Sequence, residues 1–340
     1  QNYYYFIYKM NLKNIKYLKD ISADLFLNFW LDNSFLVFKS INNIYYIIYG
    51  NRNKSIIAYD LINNQIINEI KNAHENNITN FKHYLDDNRI RRDLILSISA
   101  SDNNIRLWNI NNFECIVNMK CVYSNGLLFS ACFLNDNNQN YIITSNDNLY
   151  YSEYIKVFDF NGNKIKEIKD FNFNTFYICS YKDKILSKNY ILTGNYGYIK
   201  SYDYSMGKIY HKYIEDNDND SRHTNLIVND KNEIIKIIES NNDGYIRIWN
   251  LHSGELLDKI ITNNNFLFCM YLWNNDFIFI GGEGGEIILI DINEKKVINK
   301  LIGHKSQVIN IKKIEIPNLG ECLISKSNGD EAFKLWVIGD

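Results

Sequence analysis

An internal repeat constrains this chain more than any other feature. The stretch "SASDNNIRLWNI" at Ser99–Ile110 is answered by "ESNNDGYIRIWNL" at Glu239–Leu251. Both place a polar turn carrying an Asp ahead of Ile-Arg-aliphatic-Trp-Asn-aliphatic. Five looser copies keep the same layout: an apolar run, a polar turn, then a short strand closing on an aromatic or large apolar residue. Their marker positions, with these two, are Tyr59, Trp108, Phe158, Tyr202, Trp249, Ile290 and Trp336, separated by 49, 50, 44, 47, 41 and 46 residues. Self-similarity at a steady period means one supersecondary unit stacked repeatedly, because a single unit cannot bury its own apolar faces.

The unit is built of strands. Apolar runs of strand length recur between polar turns, and helical periodicity of useful length is absent. A period at or slightly above ~40–45 residues fits a four-stranded propeller blade, with the excess in loops, where added length costs little. The expected fold is all-β: a seven-bladed β-propeller of four-stranded antiparallel blades. After Trp336 only "VIGD" remains, so the last blade lacks its outer strand. The N-terminal segment, residues 1–33, is expected to supply it, since closure removes an exposed edge. Tyr3–Tyr8, Ile15–Lys19 and Leu25–Trp30 are the candidate closing strands, with Ile15–Trp30 favoured. Strand a of blade 1 is placed at Phe35–Phe38.

These residues resemble the WD-repeat family along nearly the whole chain, 1–340 read as one domain. Trp108-Asn109, Phe158-Asp159, Tyr202-Asp203, Trp249-Asn250 and Ile290-Asp291 stand where that family has its Trp-Asp pair. Gly303-His304 matches its Gly-His fully; Ala73-His74 and Arg222-His223 match in the His. In such a blade, strands a to d run outward from a central channel. A His, a strand-b Ser or Thr, a turn Asp and the strand-c Trp can then form a buried hydrogen-bonded set, which must satisfy itself internally. The resemblance implies three such tetrads: His74, Ser99, Asp102 and Trp108; His223, Ser240, Asp243 and Trp249; His304, Ser325, Asp330 and Trp336. Arg106 and Arg247, two residues before their Trp, are expected to lay their stems along the indole. A Ser/His/Asp trio also suggests a catalytic triad, but parallel copies, each with a Trp, read as structural.

Loops d–a and b–c emerge on one rim, here the top; a–b and c–d loops emerge at the bottom. The enlarged top turn of blade 3 carries Asp147, Tyr150, Tyr151, Glu153 and Tyr154. The top connection between blades 4 and 5 carries Glu215, Asp216, Asp218 and Asp220. Carboxylates beside aromatic rings suit a basic peptide, since ion pairing orients and rings supply desolvated area. "NRIRR" at Asn88–Arg92 falls in a bottom loop of blade 2.

The resemblance implies a non-catalytic scaffold binding protein or peptide partners, monomeric within a larger complex in the cytoplasm or nucleus. A formal net charge of −2 argues against a surface that tracks nucleic acid or anionic lipid throughout. The alternative is an RNA-associated subunit of a ribonucleoprotein assembly, favoured by "NRIRR". A phosphoinositide-binding propeller is less well matched, because Arg91-Arg92 lacks the flanking Phe and Gly. No metal-ligand spacing, phosphate loop or nucleophile motif appears, so no enzyme, metal or cofactor is expected. "GGEGGE" at Gly281–Glu286 precedes no helix and reads as a hairpin turn. The six cysteines form no C-x-x-C pair and are expected as reduced, mostly buried thiols. No apolar stretch approaches the ~18 residues of a membrane span.

Overall fold

Middle strands of each repeat are apolar on both faces, whereas the outer strands are largely exposed, and this contrast drives the repeats into stacked sheets. The computed structural model describes Tyr5, Lys9 and residues 11–23, 34–87, 91–120, 122–123, 127–147, 155–169, 175–195, 197–215, 223–229, 235–264 and 266–339. β1 (Ile15–Ser22) precedes the first repeat. Blade 1 is β2 (Phe35–Lys39), β3 (Tyr45–Gly50), β4 (Ile56–Asp60) and β5 (Gln65–Ile70). Blade 2 is β6 (Asn80–Asp86), β7 (Arg92–Ser99), β8 (Asn104–Asn109) and β9 (Glu114–Met119). Blade 3 is β10 (Leu127–Asp136), β11 (Gln139–Asp147), β12 (Ile155–Asp159) and β13 (Lys164–Ile168). Blade 4 is β14 (Tyr177–Asp183), β15 (Lys188–Asn195), β16 (Tyr198–Asp203) and β17 (Lys208–Tyr213). Blade 5 is β18 (His223–Asn229), β19 (Lys236–Asn241), β20 (Tyr245–Asn250) and β21 (Leu256–Ile261). Blade 6 is β22 (Leu267–Leu272), β23 (Phe277–Gly282), β24 (Glu286–Asp291) and β25 (Lys296–Ile302). Blade 7 is β26 (Val308–Ile316), β27 (Gly320–Ser327) and β28 (Ala332–Ile338), with β1 as its fourth strand.

The innermost strands β2, β6, β10, β14, β18, β22 and β26 each touch the next, and β26 touches β2. The seven sheets therefore form a closed ring. All seven marker residues fall on the third strand of their blades. The core is a set of layers between blades. Ile95 and Trp108 of blade 2 pack against Tyr46 and Ile48 of blade 1, whereas Leu94 and Leu96, one residue off, pack against Leu128 and Ile142 of blade 3. Middle strands are thus apolar on both faces because each face meets a different neighbour.

Turn chemistry explains part of the Asn richness. Among the described residues, eight of the twelve non-glycine residues with positive φ are Asn, including Asn43, Asn64, Asn103 and Asn318. Asn tolerates the left-handed region that hairpin turns need. The "GG" ending β23 has a steric cause: a Cβ on Gly281 would lie 2.3 Å from the Val308 carbonyl oxygen and 2.6 Å from Cys269 Sγ.

Closure runs through β1. Ile15 pairs with Ile338 and, after a bulge at Tyr17–Lys19, Ser22 pairs with Ala332. Lys334 Nζ lies 2.9 Å from Asp20 Oδ1 across this pair. Of the three candidate segments, Ile15–Lys19 is the one in β1, and Leu25–Trp30 lies outside the described residues. Tyr5, from the first candidate, is helical and not extended. Its ring stacks on Phe277 of blade 6 at 5.6 Å, its hydroxyl donates to Asp291, and Lys9 pairs with the same carboxylate at 2.7 Å. Among the described cysteines none is paired; Cys132, Cys269 and Cys322 are buried, but Cys115 is exposed on an outer strand.

Candidate functional site

The most chemically provocative cluster sits in blade 7. Trp336 Nε1–H donates to Ser325 Oγ at 2.8 Å, and Ser325 Oγ is 2.6 Å from His304 Nε2. His304 Nδ1 is 2.6 Å from Asp330 Oδ2. One proton arrangement satisfies all four groups: indole N–H to serine, serine O–H to a neutral imidazole, imidazole N–H to carboxylate. Burial pushes the His304 pKa down, with Asp330 opposing, which keeps the ring neutral. The order is that of a Ser-His-Asp triad, yet Ser325 is wholly buried and its oxygen already serves the indole.

Blade 2 has the same device with a different serine. Trp108 Nε1–H donates to Ser97 Oγ at 2.8 Å, and His74 Nε2 lies 2.8 Å from that oxygen. Ser99, expected in this role, is two residues too far along β7. The register pairs Ile95 with Trp108, which brings Ser97 under the indole, while Ser99 pairs with Asn104. Asp102 stands 3.6 Å from His74 Nδ1, beyond hydrogen-bond length. Its carboxylate instead accepts the N–H groups of Glu75 and Asn76 at 3.0 and 3.2 Å, gripping the loop that carries the histidine. Burial alone would raise the Asp102 pKa, but His74 and these donors hold it below the usual carboxylate value. His74 is pushed down, chiefly by burial.

Blade 5 departs from the expectation. Trp249 pairs with Ile237, so Glu239 occupies the serine position and Ser240 faces blade 6. A one-residue shift along a strand exchanges its faces. The indole N–H of Trp249 has no partner among the described residues. The His223 side chain lies outside the described residues. Asp243 accepts from Arg247 Nη2 at 2.6 Å, and Arg247 Nε donates to Glu215 Oε2 at 2.7 Å. Lys259 Nζ adds contacts of 2.9 and 2.7 Å to Glu215. Arg247 therefore does not lie along Trp249; its guanidinium is 5.6 Å from the Tyr245 ring. Arg106 does lie over Trp108, at 6.0 Å.

Two further blades use fastenings built from other residue types. In blade 3 the Tyr123 hydroxyl meets Thr144 Oγ1 at 2.8 Å. In blade 4 Asn195 Nδ2 donates to Thr193 Oγ1, and Thr175 donates to Asn195 Oδ1, both at 3.0 Å. Thr144 and Thr193 stand opposite the residue two before the marker, Lys156 and Lys200, just as Ser97 stands opposite Arg106. That register position is the signal by which they can be found.

Of the top-face residues expected to bind a partner, Glu215 alone has a described side chain, and its carboxylate is engaged by Arg247 and Lys259. Asp147 ends β11; its side chain and Tyr150, Tyr151, Glu153, Tyr154, Asp216, Asp218 and Asp220 lie outside the described residues. In the bottom loop of blade 2, Arg92 pairs with Asp86 at 3.0 Å and Arg91 with Asp87 at 3.1 Å. Among the described residues no group of three or more His, Cys, Asp or Glu is placed to hold a metal, and no helix is long and apolar enough to cross a membrane.

No protein-family model matches the chain. Over 113 residues it is 20% identical to the U3 small nucleolar RNA-associated protein 21 homolog of Schizosaccharomyces pombe. The matched stretch covers 33% of this chain and 12% of that relative's length. The closed ring of seven blades and this likeness agree with the repeat pattern. The chain is a seven-bladed β-propeller whose repeats resemble those of the WD-repeat family. Among the described residues, its His, Ser and Asp clusters hold the loop before strand a, strand b and strand c together in blades 2 and 7, and threonines take the same register position in blades 3 and 4.

Proposed function

We propose that this propeller is a non-catalytic scaffold that holds protein partners within a larger complex. One observation carries the reading. The group of residues most like an active site, Ser325, His304 and Asp330, is sealed between blades and saturated by Trp336. A nucleophile must meet its substrate and lend its hydroxyl proton to the base; here no substrate atom reaches the serine oxygen. What the ring offers its surroundings is rigid rims and side walls.

A second reading, a protein subunit of a ribonucleoprotein assembly in the nucleus, is favoured by the printed name of the relative, which associates that protein with U3 small nucleolar RNA. The test is isolation of the tagged protein from native lysate, with and without ribonuclease, followed by mass spectrometry. Defined protein partners that survive ribonuclease support the scaffold reading. Partners all lost on ribonuclease treatment, with salt-sensitive RNA binding by the purified protein, support direct RNA association. Recovery of the protein alone contradicts both.

A further inference from the structure

We propose that the cleft on the outer wall between blades 2 and 3 is a docking groove for an extended acidic segment of a protein partner, an inference that rests on the scaffold reading above. The cleft has a volume of about 380 Å³, within the ~300–1,000 Å³ range of ligand sites. It lies between β9 and the outer strands β12 and β13. Val117, Met119, Val122 and Phe158 contribute apolar atoms, Asn118 and Asn161 contribute amide groups, and Lys120, Lys156 and Lys164 are its charged residues. No carboxylate is among the described residues that line it.

The nearby acids are occupied. Asp159 is turned into its own loop, where it accepts the N–H groups of Asn161 and Asn163 at 2.9 and 2.8 Å. Glu167 meets Lys164 at 2.7 Å, but both side chains are solvent-accessible and the pair is weak enough to exchange for a better anion. The cations differ in mobility. Lys156 is fixed: its ammonium donates to the Val122 carbonyl at 2.9 Å and lies 4.3 Å from the Tyr123 ring centroid. Lys120 and Lys164 are exposed and can close on an anion. The lower end is rigid, because Gly162, at φ +85°, packs so closely that a Cβ there would come 2.9 Å from Val117 Cγ1.

Charge complementarity selects an anionic occupant, and the lining selects peptide over nucleic acid. Single-stranded RNA needs exposed aromatic faces or Arg planes for stacking. Here the aromatic Phe158 is only 7% exposed, the cations are lysines, and the remaining side chains are aliphatic or asparagine. An extended peptide places its carboxylates on the lysines, its backbone amide groups toward Asn118 and Asn161, and alternate apolar side chains against the half-buried Val117.

The experiment titrates the full chain with a short labelled peptide alternating Glu with Val, with its Lys–Val counterpart, and with a single-stranded oligoribonucleotide of matched length. Bound sites are read by protection of lysines from acetylation. The acidic peptide is expected to bind and to protect Lys120 and Lys164, while the exposed Lys184 and Lys208 of blade 4 stay reactive. The double variant Lys120→Glu, Lys164→Glu should weaken binding about tenfold or more, and Lys120→Arg, Lys164→Arg should retain it. Absence of binding, or protection unaffected by charge reversal, overturns the proposal. So does an oligoribonucleotide that protects these lysines and displaces the peptide. If the charge-reversed protein still retrieves every ribonuclease-resistant partner from lysate, the groove is excluded as their site while the scaffold reading stands.

Discussion

Replacing Ser97 with Ala, beside the same change at Ser99, tests the fastening argument within one strand. Both serines lie on β7 and both are fully buried. Ser97 Oγ takes the Trp108 N–H at 2.8 Å and meets His74 Nε2 at 2.8 Å. His74 is 2% exposed and Trp108 4%, so water cannot stand in for the lost oxygen. Each stranded buried group costs about 1–3 kcal/mol. With two groups stranded, Ser97→Ala should cost about 2–4 kcal/mol, a large share of the ~5–15 kcal/mol that typically holds a domain together. Ser99 touches neither the indole nor the imidazole and only helps to lower the Asp102 pKa, so Ser99→Ala should cost about 1 kcal/mol or less. Urea unfolding of both variants measures this, with an unchanged denaturant slope showing that the two-state comparison holds. Equal losses from both, or a Ser97→Ala protein within about 0.5 kcal/mol of the parent, would refute the claim that the serine is the hub.

Arg247→Met should cost about 3–5 kcal/mol in the same assay, because it removes the cation shared by Glu215 and Asp243 and standing 3.8 Å from the buried Glu239; a loss under about 1 kcal/mol would contradict a structural role. Acidification should destabilise the ring in two windows. Burial lowers the pKa values of His74 and His304 below the ordinary histidine value of about 6.5. The unfolded chain therefore binds protons first, and stability falls as pH drops below about 6.5. Asp102, Asp203 and Glu215, with depressed carboxyl pKa values, withdraw their contribution only below about pH 4.5. Melting temperatures from pH 8 to pH 3 separate these steps, and His304→Gln should flatten the upper one; a profile flat from pH 7 to pH 5 would contradict it. Gly281→Ala should destabilise by about 1–3 kcal/mol or more, since its methyl group meets backbone of the neighbouring blade; unchanged melting would show that blades 6 and 7 separate easily there.

The architecture was legible because it is written seven times. Tyr59 through Ile290 and Trp336 could be aligned by eye, and all seven lie on third strands. The fastenings were less legible because a buried strand reads as an unbroken apolar run, which hides register. Counting back from the marker gives 108 − 97 = 11 and 336 − 325 = 11, but 249 − 239 = 10, since the b–c turn of blade 5 is shorter. Ser240 therefore lies on the opposite face of its strand, and Ser99 lies one pleat repeat beyond the position that meets the indole. Blade 5 also replaced the hydroxyl with Glu239, and blade 3 replaced the histidine with Tyr123, so residue type misled where register would not have. The contact of Tyr5 and Lys9 with Asp291 spans almost the whole chain, and nothing local in "QNYYYFIYKM" announces it.

Closure of blade 7 by β1 is the claim on which the ring, its buried fastenings and its side clefts all depend. Lys334 and Asp20 lie 2.9 Å apart only because β1 runs beside β28. A zero-length carbodiimide cross-linker applied to the monomer, followed by peptide mapping, reads that distance directly. The account requires an Asp20–Lys334 isopeptide link, together with slow amide exchange along β1. Absence of the link from the monomer, with β1 amides exchanging as freely as an unpaired chain, would contradict it.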